Sequence, residues 1–432
     1  MLRSLTLLLL GILFIQCQSQ PYEFNEENSA EILKTLSSDE MRGRQAFTPD
    51  IDKAADFISD RFDKIGLDYI KGESDYRQKF DVLSIKVASA DIEVSGSKIT
   101  NENYFVLGDT ATVEWSATNE IENIHISKND DFREKFNELR GGSKKAFVFV
   151  DQSHEALFRR YHPFFSRASR VFPNEQPSNI VFVLTSKSPK SSFSAYITKE
   201  VEVMQLANVV GVIEGNRKDE YVVFSGHYDH IGIRPTTEAD ADSIGNGAND
   251  NASGTTAVLE LAKYFKSKGI PERTLIFVAF TAEEAGGYGS RYFSKQLNPD
   301  QIMAMFNIEM IGKPAVEGPN TAWITGFEKS TFGELLQKSA EGTIYEFYPD
   351  PYPNQNLFYR SDNATLARLG VPAHTISTTP IDVDPDYHQV SDEFSTIDVA
   401  HLTNTIRAIS QAAVGIVSGQ DTPTRVDASQ LN

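Results

Sequence analysis

The chain has one cysteine, Cys17, in 432 residues. No intramolecular disulfide can form, and any transition-metal site must use His, Asp and Glu rather than thiolates. An excess of cations is missing too. Against 60 Asp and Glu stand 41 Lys and Arg, a formal net charge of −19, which argues against nucleic acid or an anionic membrane surface as partner. The one long apolar run, 5–15, is too short to span a bilayer, so no integral membrane span is expected. With 40% hydrophobic and 23% charged residues, the composition is that of a folded globular protein, and only the stretch after Gly419 reads as disordered.

Residues 1–19 combine Arg3, the apolar run and the small residues Cys17 and Ser19. This is the layout of a secretory signal peptide, so the mature protein is expected to be exported, to the periplasm or beyond. The alternative is a lipoprotein signal with Cys17 lipidated. Gln16, where a small residue is expected, and Phe14, where Leu is usual, speak against it.

At this length the chain exceeds one typical domain. Residues 20–77 form the first part of a core domain. In PDIDKAADFISDRFDKIG the apolar residues Ile51, Ala54, Phe57, Ile58, Phe62 and Ile65 recur at helical spacing, Pro49 suits the start, and Gly66 can end the last turn. From 78 to 200, short alternating runs such as DIEVSG, FVFVD and NIVFVLTS predict a β-rich insertion. His125, His154 and His162 lie there without carboxylates at useful spacing and read as structural. From 201 to 418, apolar runs (NVVGVIEG, YVVFSG, TLIFVAF, MFNIEMIG, TAWITG, VPAHTIS) alternate with helical segments such as ASGTTAVLELAKYFKSKG. That pattern predicts an α/β fold with a mostly parallel, mixed central sheet flanked by helices, and function at the carboxyl ends of its strands. Residues 419–432 form a polar tail.

Candidate chemistry clusters at those strand ends. His227 follows YVVFSG, and Asp229, two residues on, can orient its second ring nitrogen. Asp250 lies in the Gly/Asn-rich loop GANDNASG, where a short carboxylate can bridge two cations, although a lone Asp there is more often a helix cap. Glu283 and Glu284 are adjacent carboxylates after a buried run, and their repulsion needs a cation or a shared proton to offset it. Consecutive side chains point in different directions, so Glu284 can hold a metal while Glu283 reaches a water as general base. Glu309, inside an apolar run, needs a partner, and His388 after Tyr387 supplies a late imidazole.

These segments, HYDHIG, GANDNASG, FTAEEAGGYGSRYF, NIEMIG and DYHQVSDEFSTID, resemble the successive motifs of the co-catalytic zinc exopeptidases, the family of secreted bacterial aminopeptidases and glutamate carboxypeptidase. The opening LSSDEMRGRQAFTPDIDKAADFISDRFDKIGL is similar to that family as well. The likeness covers about 25–75 and 205–418. It implies a phosphorylase/hydrolase-like α/β domain holding two zinc ions, one on His227 and Glu309, the other on Glu284 and His388, with Asp250 bridging. It further implies Glu283 as the base, Tyr387 steadying the oxyanion and a cis peptide bond at Asp250–Asn251. Glu309 departs from the family's usual Asp, which leaves the metal at that site open. Ser361–Asp362–Asn363 resembles a Ser-Asp-His stretch of the family, with Asn replacing His, and is given a positioning role. His230 and His374 match no ligand and read as structural.

The expected function is a secreted zinc exopeptidase acting on peptides, in the first place an aminopeptidase. A carboxypeptidase or dipeptidase is the alternative, followed by a glutaminyl cyclase or a non-catalytic receptor-like binding module on the same fold. All six ligand and base positions are filled, which disfavours the binding module.

Overall fold

In the strand Arg273–Phe280 every residue is buried, and alternate side chains serve opposite faces. Leu275, Phe277 and Ala279 belong to one apolar cluster, while Ile276, Val278 and Phe280 belong to another. A sheet covered on both faces requires this, because successive side chains of a strand point to opposite sides. This computed structural model describes residues 22–108, 110–116, 121–140, 145–173, 179–237 and 241–431; the leader expected at 1–19, with Cys17, lies outside them.

The described residues fall into two compact units, one made of the residues up to Gln78 and from Ala207 onward, the other of Lys79–Leu206. In the first unit the strand order is Glu346–Pro349, Thr321–Ile324, Ala373–Ser377, Ile302–Ile308, Arg217–His227, Arg273–Phe280 and the end of Phe193–Ile213. The four strands Ala373–Ser377, Ile302–Ile308, Arg217–His227 and Arg273–Phe280 run parallel to one another, and the 209–213 stretch pairs antiparallel at one flank. The centre of the sheet is therefore parallel and its margin mixed. At its middle, the Phe224 ring lies 5.4 Å from that of Phe277 and 4.9 Å from that of Phe306. Truncating a ring packed in this way costs about 3–5 kcal/mol.

Helices cover both faces. Asp50–Ile65 buries Ile51, Ala54, Ala55, Ile58 and Phe62, starts with Asp50 and Asp52, and stops at Gly66 in the left-handed region (φ 78°). Acidic residues at the start and a left-handed glycine after the end suit the helix dipole and the carbonyls left over at a helix end. Phe57 and Ile65, counted with the apolar face in the sequence, are only partly buried. Gly254–Ser267 and Val399–Ala412 complete that face.

The stretch after Gly419, expected to be disordered, is instead tied down over its described residues. Arg425 donates to the carbonyls of Ile302 and Pro299, Val426 is buried, and Asp421 and Thr422 accept from the Arg273 guanidinium. These are mostly backbone and polar contacts, which composition does not announce.

Lys79–Leu206 contains a four-stranded sheet in the order Tyr104–Gly108, Asn179–Leu184, Lys145–Val150, Glu122–Ile126. It also holds two helices, Phe132–Arg140 and Glu155–Phe165, whose Phe132, Phe136 and Phe158 pack with Phe105 and Phe182. His154 and His162 face the carbonyl oxygens of Ser127 and Asn101, each at 2.8 Å.

Candidate active site

Because the central strands are parallel, their carboxyl ends share one edge, and the chemistry-bearing residues lie there. His227 is the last residue of Arg217–His227, Glu309 follows Ile302–Ile308 directly, and Glu283 and Glu284 follow Arg273–Phe280 after Thr281 and Ala282. Asp250 sits in Ala248–Ser253, just before the helix Gly254–Ser267, and its peptide bond to Asn251 is cis. At Gly247 (φ 54°) a Cβ would lie 2.2 Å from the Asp250 carbonyl oxygen and 2.5 Å from the His230 ring, so only glycine fits. Ala282, Met310 and His388, each at or beside a candidate base or ligand, have φ of 55°, 54° and 56°. Non-glycine residues held in this region are uncommon and collect at functional sites.

The Asp250 carboxylate is central. Its Oδ1 lies 3.2 Å from His227 Nε2, and its Oδ2 lies 3.2 Å from His388 Nε2. His227 Nε2 is also 3.9 Å from Glu309 Oε1, and His388 Nε2 is 3.1 Å from Glu284 Oε2. The structure thus brings His227, Asp250, Glu284, Glu309 and His388 together from five segments. Tyr387 stacks on the His388 ring, with centroids 4.1 Å apart, and its hydroxyl lies 3.4 Å from an Arg360 Nη.

Two expectations change. The Asp229 carboxylate does not hold the His227 ring: Nδ1 of His227 is 3.1 Å from the Asp229 carbonyl oxygen and 3.7 Å from the carboxylate. The carboxylate instead accepts the backbone N–H groups of Glu283 (3.0 Å) and Glu284 (3.3 Å), so it orients the Glu pair. His230 is more than structural filler, since its Nδ1 lies 2.9 Å from Glu284 Oε1. His374 does stay away from the site, between Ser330 and the Thr325 carbonyl. Asn363 likewise serves the scaffold, bonding the carbonyls of Phe358 and Ala373.

Sequence reasoning missed two supporting residues. Asp392 accepts the backbone N–H groups of Asn249 and Asp250 at 2.8 and 2.9 Å. Arg44 is fully buried, and its guanidinium donates to the carbonyls of Leu36, Tyr228, Asn246 and Gly247. It thereby joins the segment of His227 to the segment that leads to Asp250. A basic residue near an acidic motif was its only signal, and nothing local says that it turns inward.

Electrostatics fit a site that needs cations. Burial raises the Glu283 carboxyl well above the usual carboxylate range; His227 opposes this, while Glu309, Asp362 and Glu284 add to it. Burial likewise lifts Glu309 and Asp362 to about 7 each. Burial also lifts the Tyr387 phenol, so it stays protonated as a donor. A set of buried carboxylates this close takes up protons unless a cation sits among them.

The donor set suits zinc. Bonds of about 2.0–2.2 Å place neighbouring ligand atoms of a tetrahedral ion roughly 3.3–3.6 Å apart. The His227–Asp250 and His388–Asp250 contacts, 3.2 Å each, lie within a few tenths of an ångström of that. Oε2 of Glu309 is buried with no hydrogen-bond partner among the described residues. All donors are nitrogen or oxygen.

Beside Glu309 and Tyr387 lies a cavity lined by Met310, Trp323, Leu357, Ile381 and Arg360 together with Thr325, Ser361, Thr375, Ser377 and Thr379. The aromatic stretch 343–360 does two things: Tyr345, Phe347, Tyr352 and Phe358 are packed inside, whereas Leu357 and Arg360 reach the cavity.

Comparison with known proteins agrees with the geometry. Residues 208–413 match the model of peptidase family M28. A probable zinc metalloprotease of Leptosphaeria maculans is 37% identical over 112 residues, a match spanning 25% of this chain and 25% of that protein. The chain thus spans about a quarter of the length of that curated relative. Among solved structures, a zinc aminopeptidase from Bacillus subtilis superposes with a TM-score of 0.55 at 17% identity, covering 91% of this chain and 95% of the other. An aminopeptidase from Aneurinibacillus sp. strain AM-1 does so with a TM-score of 0.53 at 17% identity, covering 91% and 94%. At such identity these two speak for the fold. The stretch that carries this site, residues 208–413, is thus similar to peptidase family M28.

Proposed function

We propose that the protein is an exported zinc exopeptidase that removes N-terminal residues from peptides. The observation that carries this reading is the Asp250 carboxylate, which faces His227 through one oxygen and His388 through the other. On this reading His227, Glu309 and Asp250 would hold one zinc ion, and Glu284, His388 and Asp250 a second. Zinc bound there supplies Lewis acidity and lowers the pKa of water.

The chain's own groups do the rest. Glu283 takes the proton from the attacking water and returns it to the leaving amine, a task suited to a carboxyl that burial holds well above the usual carboxylate range. Tyr387 donates its O–H to the oxyanion as the carbonyl becomes tetrahedral. Asp229 holds the backbone of Glu283 and Glu284, which keeps base and ligand apart. The cavity beside Glu309 receives the terminal side chain, and its Met310, Trp323, Leu357 and Ile381 walls favour an apolar one. The solved structures it superposes on are named as aminopeptidases, which orders that reading before carboxypeptidase action. Export rests on the leader at 1–19; among the described residues no helix is long and apolar enough to cross a membrane.

The test is hydrolysis of peptides with free, N-blocked and C-blocked termini by the purified protein, with zinc counted by atomic emission. Release of N-terminal residues from unblocked peptides only, with about two zinc ions bound, supports the reading. Glu283→Gln should keep the metal and lose about 10²–10⁴-fold in kcat. Cleavage of N-blocked peptides would replace it with carboxypeptidase action.

A further inference from the structure

His388 is an unusual place for a metal ligand. It is 37% exposed, its φ is positive, and the segment 380–392 around it has no helix or strand. An imidazole on such a segment would ordinarily sample many positions, and each would weaken its grip on a metal.

Among the contacts that hold the segment, two flank His388 and lead to other parts of the site. On the far side of His388, Asp392 accepts the backbone N–H groups of Asn249 and Asp250. On the near side, Lys313 Nζ donates to Asp384 Oδ1 at 2.5 Å and to Asp386 Oδ2 at 2.7 Å. The three side chains are 14%, 2% and 16% exposed, so water screens this triad little. Lys313 comes four residues after Glu309 in the chain, and its carbonyl accepts the Thr378 hydroxyl at 2.6 Å. Asp386 is also held by Ser391, at 2.6 Å. Tyr387 and His388 follow it at once. The residues that hold the two halves of the site therefore meet through one ammonium group.

We propose that Lys313 is a positioning residue for the half-site that His388 completes: by clamping Asp384 and Asp386 it fixes the segment that presents His388 and Tyr387 and ties it to the strand end that carries Glu309. This rests on the zinc reading above. Without the clamp, His388 and Tyr387 lose their fixed place, while His227 and Glu309 keep theirs on the sheet edge and Asp250 keeps its place before the helix Gly254–Ser267. The two metals should then separate in affinity.

Lys313→Met removes the ammonium group at similar length, and Lys313→Arg restores a cation. Zinc is titrated away from each purified full-length protein with chelators of graded strength, bound metal is counted, and thermal unfolding reports the fold. We expect the wild type to hold two zinc ions. Lys313→Met should hold one as tightly as before and the other about tenfold more weakly or worse, the scale seen when partners of metal ligands are removed. Lys313→Arg should lie nearer the wild type. Two zinc ions held within twofold of the wild type by a folded Lys313→Met overturns the proposal, and so does equal weakening of both. A wild type that takes up no zinc removes the functional reading itself, before any variant is compared. If Lys313→Met does not fold, Asp386→Asn decides: selective weakening of one zinc supports the clamp and no change overturns it. Failure of both to fold assigns the triad to overall stability and overturns the proposal as well.

Discussion

His230 Nδ1 lies 2.9 Å from Oε1 of Glu284, the oxygen opposite the one that faces His388. A carboxylate only accepts, so in the Nδ1–H tautomer the ring donates to it and fixes the rotation of the Glu284 carboxylate. His230→Ala should therefore weaken zinc at the Glu284 half-site about 10–100-fold, the usual cost of removing a ligand's partner. Chelator competition on the purified protein measures it, and unchanged affinity would return His230 to a purely structural role.

Tyr387→Phe keeps the ring that stacks on His388 and removes only the hydroxyl. Loss of one donor to the oxyanion predicts a fall in kcat of about 10²-fold with little change in KM. Steady-state kinetics on a peptide the wild type cleaves checks it; a rise in KM alone would make Tyr387 a substrate-binding group.

Arg44→Met would leave four main-chain carbonyls without their charged donor. Leaving a buried carbonyl without its donor costs on the order of 1–3 kcal/mol. Urea unfolding of the metal-free protein should show that loss, with a smaller one for Arg44→Lys. A change below about 1 kcal/mol would mean that water satisfies those carbonyls equally well.

His374 offers a pH dependence away from the metal ligands. It is fully buried, with Nδ1 on the Thr325 carbonyl and Nε2 facing the Ser330 hydroxyl, and burial pushes its pKa down to about 4. Its ordinary value is about 6.5, so between those values the unfolded chain binds the proton and the folded one does not. This contribution to stability is present above about pH 6.5 and is lost as the pH falls towards 4, to the extent of about 3 kcal/mol. His374→Gln should flatten that part of the stability curve; an unaltered acid slope would show that His374 is not responsible.

The carboxyl-edge placement of His227, Glu283, Glu284 and Glu309 was legible because buried parallel strands are nearly all apolar, which makes a polar residue at their end conspicuous. Runs such as TLIFVAF therefore locate both the sheet and its working edge. The helices at 132–140 and 155–165 were not read, although Phe132, Phe136 and Leu139 keep helical spacing, because strand-like runs on either side dominated the pattern. Arg44 was invisible for a different reason. Its partners Tyr228 and Asn246 lie 184 and 202 positions away in the chain, and a guanidinium that bonds only carbonyls leaves no paired acid in the sequence. His230 fell between the two: its spacing from His227 is plain, but only the fold brings Glu284 beside it.

The Asp229 carboxylate anchors the backbone of Glu283 and Glu284 together, so the two side chains can change independently. A single nucleotide turns a glutamate codon into one for glutamine. On the proposed reading, that substitution at position 283 would disable proton transfer and leave the neighbouring Glu284 arm where it was. If the proposed function holds, an enzyme and an inert, metal-holding look-alike stand one mutational step apart on this scaffold, and a gene duplicate released from selection for hydrolysis can drift into recognition alone without first rebuilding its fold.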